Sequence, residues 1–253
     1  MTDNPAAPGA RRTRRPSERR ARRSAPTLSL EAIIAAAIEI LDMEGLDALT
    51  LRRLSSALGV GVASLYWHID DKDDLLDQCA ANILRPVIAR YRERAIDPDR
   101  WRAQITDLST AQYDLVRDHP WLPLATSEAV NQITPSGAHL AIIAAWDRTG
   151  ALLLAAGLSP LEAFHATTAI SNHLIGMGAS ASRAAAAQRA GADRAEVLRQ
   201  TSEHMLALAA RSNETMPYLI ATAPVLADHD EREQFMGALN LILDGVEQRV
   251  RHD

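Results

Sequence analysis

The chain has 253 residues, 47% of them hydrophobic and 23% charged, with a formal net charge of −5. It is long enough to bury a proper core, as one large domain or two small ones, and its composition is that of a soluble globular protein. No apolar run reaches the roughly 18 residues of a membrane span, no signal-peptide stretch opens the chain, and the lone Cys79 excludes an intrachain disulfide, so a cytoplasmic location is expected.

The charge is unevenly spread. Residues 1–26 carry eight arginines against Asp3 and Glu18, a net +6, which leaves −11 on the remainder. A basic arm on an acidic body points to contact with a polyanion. The plain alternative is a solvated, disordered leader.

From Thr27 onward the pattern is helical, with no convincing alternating strand. Ser29 caps a first helix whose apolar stripe is Ile33, Ile34, Ala37, Ile38 and Leu41, and Gly45 closes it. Thr50 caps a short second helix with Leu51, Leu54 and Leu58 inward, stopped at Gly59. A third short helix is expected over 62–67, and Asp71 caps a long fourth one that Pro86 kinks. Further starts stand at Asp97-Pro98, at Thr134-Pro135 and in the capping box Ser159-Pro160-Leu161-Glu162. The Ala-rich stretch 181–192 is expected as a mobile loop or frayed helix end, and 222–230 as a loop. A final helix from about Glu231 carries Phe235, Leu239, Ile242, Leu243, Val246 and Val250 on one stripe.

Two short helices, TLRRLSSALG and GVASLYWH, joined by a glycine-containing turn, have the size of a helix-turn-helix. Leu51, Leu54, Leu58, Val60, Leu65 and Trp67 are expected inward, leaving Arg52, Arg53, Ser64, Tyr66 and His68 partly free. Directly afterwards comes Lys72, the single lysine of the chain, among Asp70, Asp71, Asp73, Asp74 and Asp77. The stretch AAAIEILDMEGLDALTLRRLSSALGVGVASLYWHIDDKDDLLD resembles the DNA-binding domain of the tetracycline-repressor (TetR) family of bacterial regulators. A weaker resemblance to the C-terminal domain of the tetracycline repressors runs around Trp101 and in AISNHLIGMG, residues 169–178.

The resemblance implies an all-α protein. It would have a three-helix helix-turn-helix domain over residues 27–75 and a helical ligand-binding and dimerisation domain over 76–253. It implies that Tyr66 and His68 reach the DNA backbone and that Lys72, at a helix start, touches a phosphate. Thr50 and Arg52 match positions near the DNA, and base reading falls to Val62, Ala63 and Ser64, with apolar contact from the first two. The aspartates after Lys72 are expected to face away as structural charges. The implied partners are an operator duplex, a small-molecule effector and a second copy of the chain. The dimer would pair the helix from Pro160 with the last helix, with Gly176 and Gly178 allowing close approach.

For the effector the candidates are Trp101, Tyr113, His119, Trp121, His139, Trp146, Phe164, His165, Asn172, His173 and Met177. They are the aromatic and polar residues concentrated between 100 and 178. Glu162 and His165 have the spacing of one arm of a di-metal bundle, but no second arm appears. Ser180 stands where the resemblance would put a metal-chelating carboxylate. No metal or other cofactor is therefore expected, and an amphipathic organic ligand is. A route from effector to DNA is expected through the fourth helix alone. No P-loop, dinucleotide fingerprint, His-x-x-x-His or nucleophile elbow is present, which argues against an enzyme. A ligand-blind activator or regulator is the main alternative to a ligand-released repressor.

Overall fold

The computed structural model describes residues 28–129, 136–212 and 215–250; the arginine-rich arm lies outside them. Regular structure among the described residues is helical: α1 (Leu30–Glu44), α2 (Leu51–Leu58), α3 (Val62–Leu65), α4 (Lys72–Arg92), α5 (Trp101–Asp118), α6 (Leu122–Ala129), α7 (Gly137–Ala155), α8 (Pro160–Arg189), α9 (Arg194–Arg211), α10 (Pro217–Ala227) and α11 (Glu231–Val250).

The caps follow the local chemistry. The Ser29 and Thr50 side chains accept from the backbone N–H groups of Ala32 and Arg53, and Asp71 accepts from Asp74, each filling a donor left open at a helix start. Gly59 ends α2 in the left-handed region, at φ 66°, where a Cβ would be strained. Ser159 and Glu162 close the capping box at α8. Its carboxylate, hydrogen-bonded by the Ser159 hydroxyl and backbone N–H, sits below its ordinary pKa.

One core joins α1, α2, α3 and the first half of α4. It is built on Ile33, Ala37, Leu41, Leu54, Leu65, Ile69, Leu75 and Cys79, and it also takes in Trp121, Leu122, Ala138 and Ala141 from the body. A second core gathers Trp101, Ile105, Tyr113, Leu152, Leu153 and Ile170 around Phe235, Leu239 and Leu243 of α11. Burial of these side chains is the main force holding the helices together. The helix α7 meets the length and apolarity of a membrane span, but it forms the wall between these cores and carries the buried Arg148.

Several expectations are corrected. The third helix stops at Leu65, because the chain tightens into a turn in which the His68 and Ile69 N–H groups both bond Leu65 O. Trp67 is consequently 87% exposed, and Ile69, one turn after Leu65, takes the core position. In α1 Ile40 joins the buried stripe in place of Ile38, which is half-buried. The Thr134-Pro135 start lies outside the described residues; Ser136 caps α7 by accepting from the His139 N–H. Residues 181–189 continue α8, as a run of strong helix formers does when an anchor is available. That anchor is Ser182, whose hydroxyl donates to Pro120 O. The expected loop at 222–230 is mostly α10. Pro224 sits on its exposed side, where water can satisfy the carbonyl that the missing N–H leaves. With α9 it makes a helical hairpin closed by a hydrogen bond from Ser202 to Ala223 O.

Candidate nucleic-acid interface and effector cavity

None of the expected DNA-facing residues is fully buried. Thr50, Arg52, Ala63 and Tyr66 are exposed, and Val62, Ser64, His68 and Lys72 are half-buried around α3. Arg53 is held by Glu44 at 2.5 Å, which separates its role from that of the exposed Arg52 beside it. The backbone N–H of Glu31 itself, and then the Ser29 side chain, hold the Glu31 carboxyl below the usual range, with His68 close enough to add to the effect.

The Lys72 ammonium donates to Leu46 O at 3.4 Å, fastening the start of α4 to the turn after α1. An ammonium has three donors, so this tether is compatible with an outward contact. The neighbouring aspartates divide the local work. Asp74 accepts from the Asp70 N–H and from Gln78. Asp77 does not face away: its two carboxylate oxygens accept from the N–H groups of Gly137 and Ala138, at 2.9 and 3.1 Å. It thereby supplies a charge-assisted cap to a helix of the body.

Helix α7 lies against α4 along its length. At its start a Cβ on Gly137 would displace the flexible Arg85 guanidinium and come within 3.1 Å of Ala81 Cβ, so the two helices approach closely there. Ala145 packs with Ile88 and Tyr91 in the middle. At the far end the buried Arg148 guanidinium donates to Arg94 O at 2.8 Å, and burial, helped by Arg94, pulls its pKa down. A second connection bypasses α4. Asp42 of α1 accepts from Trp121 Nε1 at 2.7 Å and lies 2.8 Å from His119 Nδ1. The route through α4 is therefore not alone.

Between α4, α5, α6, α7 and α8 lies a cavity of about 520 Å³. Its lining is mostly aliphatic: Leu84, Val116, Leu122, Ile142, Ile143, Ile170, Leu174 and Ile175. Gln112, Thr126, His139, Thr149 and Ser171 add polar groups, and Trp146 adds a ring. Of the eleven candidate effector residues, His139 and Trp146 line it. Trp101, Tyr113, His173 and Met177 belong to the second core, where Tyr113 and His173 stack on Phe235 at 4.4 and 5.1 Å. His119 and Trp121 hold the link to Asp42. Phe164, His165 and Asn172 are on the exposed side of α8, with Phe164 edge-on to Trp146 at 6.2 Å. Gly178 faces inward, where a Cβ would come 2.9 Å from Pro123 Cγ; around Gly176 the space is open.

A selection by aromatic and polar type overlooked the aliphatic walls. Their signal was spacing: residues 139, 142, 143, 146 and 149 share one face of α7, and 170, 171, 174 and 175 one face of α8.

A helix-turn-helix on a helical body with a cavity between its helices is the architecture of a DNA-binding regulator. Residues 33–79 match the family described as bacterial regulatory proteins, tetR family, and residues 96–250 the tetracyclin repressor-like C-terminal domain. The chain belongs to the TetR family of transcriptional regulators. It is 37% identical over 109 residues to the HTH-type transcriptional repressor DrrR1 of Streptomyces coeruleorubidus, covering 43% of this chain and 38% of that one. To the tetracycline repressor protein class D of Escherichia coli it is 27% identical over 232 residues, 88% of this chain and 91% of the other. The solved structure of ActR from Streptomyces coelicolor in complex with (S)-DNPA superposes with a TM-score of 0.61 at 25% identity, covering 87% of this chain and 98% of ActR.

Proposed function

We propose that the chain is a homodimeric repressor, working in the cytoplasm, released from its operator by a small amphipathic organic molecule bound in the cavity without metal. The observation that carries this reading is shared walls: α4 and α7 line the cavity and are fastened at Asp77 and, just past the end of α4, at Arg94, while α4 starts beside the proposed DNA contacts. A ligand that moves α7 must move α4. The similarity to DrrR1, named a repressor, and to ActR, solved with a small molecule, supports the same reading.

The dimer follows from affinity, since one four-residue recognition helix reads too little sequence and two reading successive grooves multiply it. An exposed stripe supports the pairing of α8 and α11. On α11 Leu241 is exposed between Gly237 and Gly245, one turn away on each side, where added Cβ atoms would meet nothing. On α8 Leu161, His165, Ala169, Asn172 and Gly176 are exposed at near-helical spacing. Thr50, Arg52, Val62, Ala63, Ser64, Tyr66, His68 and Lys72 are the proposed DNA contacts. Metal-free binding rests on the donor set, because His139 is the sole imidazole and no carboxylate is present among the described lining residues.

The test is selection of bound sequences from a random duplex pool, followed by measurement of stoichiometry. A palindromic site carrying two chains is expected. One chain on an asymmetric site would overturn the dimer, and compounds that fill the cavity without weakening DNA binding would overturn release.

A further inference from the structure

We infer that the cavity selects an electrically neutral, largely apolar molecule that presents a carbonyl or hydroxyl group to His139. This rests on the reading of the cavity as the effector site and adds the charge class and the anchoring atom.

Three observations converge. The first is the wall. Leu84, Val116, Ile142, Ile170 and Leu174 line the space, and none of the described lining residues is Asp, Glu, Lys or Arg. An ion entering there would lose its hydration and meet no counter-charge, whereas a neutral molecule loses little.

The second is the disposition of nearby charges. Arg148, next to the lining Thr149, is turned to the carbonyls of Arg94 and Ala95. Asp147 is exposed, and Asp77 is occupied by two backbone N–H groups of α7. None of these charges serves an ionic ligand in the cavity.

The third is an unmet hydrogen-bonding atom. His139 Nδ1 is buried and has no hydrogen-bond partner among the described residues. Buried polar atoms are nearly always satisfied, and this residue lines the cavity. Gln112 from α5 and Ser171 from α8 stand in the same lining. A neutral imidazole, an amide and a hydroxyl each both donate and accept, which suits a carbonyl or hydroxyl. A volume of about 520 Å³ admits a molecule of several rings, with Trp146 offering a stacking face.

Two fluorescent probes with one skeleton separate charge from shape: N-phenyl-1-naphthylamine, which is neutral, and its 8-sulfonate, 8-anilino-1-naphthalenesulfonate. Both are titrated into the full chain, into Ser171→Trp, which fills the cavity, and into Ser171→Arg, which puts a cation in its wall. Circular dichroism checks that each variant is folded; Thr149→Trp replaces a variant that is not. The neutral probe should bind at least tenfold more tightly than the sulfonate, lose binding in the filled variant, and lose its advantage in Ser171→Arg. His139→Leu should cost a neutral naphthol threefold or more while sparing naphthalene. Equal or tighter sulfonate binding that vanishes on filling would overturn neutrality and leave the cavity as a binding site. Probe binding indifferent to filling would overturn the cavity reading itself. Equal losses for naphthol and naphthalene in His139→Leu would remove His139 as the anchor.

Discussion

Asp77→Ala is the most informative single change, because Asp77 joins α4, which follows the helix-turn-helix, to α7, which walls the cavity. The substitution removes two charge-assisted hydrogen bonds, to Gly137 and Ala138, and one carboxylate from the positive end of α7. Each hydrogen bond to a charged group contributes about 1.5–3 kcal/mol in favourable cases. The side chain is only half-buried, so water takes over part of this, and Ser136 still accepts from His139. A loss of about 1–3 kcal/mol of stability is expected, close to that of a lost N-cap. Urea denaturation measures it, and amide exchange at residues 137 and 138 should accelerate while the α11 core stays protected. The larger consequence is for coupling: an effector that lowers DNA affinity of the parent chain should do so less in the variant, with both separate affinities nearly kept. Coupling energies are typically about 1–3 kcal/mol and must be reciprocal between the two ligands. Unchanged exchange at 137–138 together with undiminished coupling would refute the assignment of Asp77 as a transmitting contact.

Trp67→Ala should change stability by less than about 0.5 kcal/mol in thermal or urea unfolding, since its ring is almost entirely in solvent. Lys72→Ala should weaken binding to specific and random duplexes alike and reduce the salt-dependence slope by about two per dimer; an unchanged slope would remove Lys72 from the phosphate contacts. Trp121→Phe should cost about 1–2 kcal/mol by depriving Asp42 of one donor, while Asp42→Ala, which strands both Trp121 Nε1 and His119, should cost more. Cys79 is fully buried, and burial, with Asp42 adding to it, pushes its thiol up to about 12. Its folded pKa lies above the unfolded one, so its contribution to stability is complete below about pH 8.5 and falls as pH rises toward 12. The native thiol should resist iodoacetamide at pH 8, and the stability difference from Cys79→Ala should shrink at higher pH; rapid native alkylation would contradict the burial.

What was legible in the sequence was local. Ser29, Thr50, Asp71 and Ser159 mark helix starts because a short polar side chain can satisfy a nearby N–H, and each does so here. The helix-turn-helix was legible because its turn glycine and its apolar spacing lie within 20 residues. The rest depends on which helix lies against which, and spacing alone does not carry that. Trp67 looked like core because aromatic rings usually are; a tightened turn rotated it out and brought Ile69 in. Asp77 looked like one more solvated charge because its partners lie 60 and 61 positions away. Residue type alone does not mark the cavity: Tyr113 and His173 pack around Phe235, and His119 and Trp121 clasp Asp42. The end of α8 and most of α10 read as loops because Gly191 and Pro224 stand in those stretches, although Gly191 follows a helix and Pro224 sits on a wet face.

The connections between body and DNA-binding head, through α4 and through α1, constrain how release can work in the proposed dimer. If α4 alone linked them, a push from α7 could bend the helix near Pro86 and dissipate before reaching the DNA. The clasp from Asp42 to Trp121 and His119 fixes α1 to the body at a separate point, and the shared core ties α1 to the start of α4. The head must then follow the body as one piece. Helix α4 has 21 residues and is therefore about 31 Å long. A tilt of about 5° about its far end would carry Lys72 by roughly 3 Å, and opposite shifts in two subunits would change the separation of the recognition helices by roughly 5 Å. Half-sites one helical turn apart lie about 34 Å from each other, so such an error takes both heads out of register together. Trp121→Phe and Asp42→Ala should therefore lower the coupling between effector and operator even though neither residue lines the cavity or belongs to the DNA-facing set. Stability loss with coupling intact in both variants would show that α4 transmits alone.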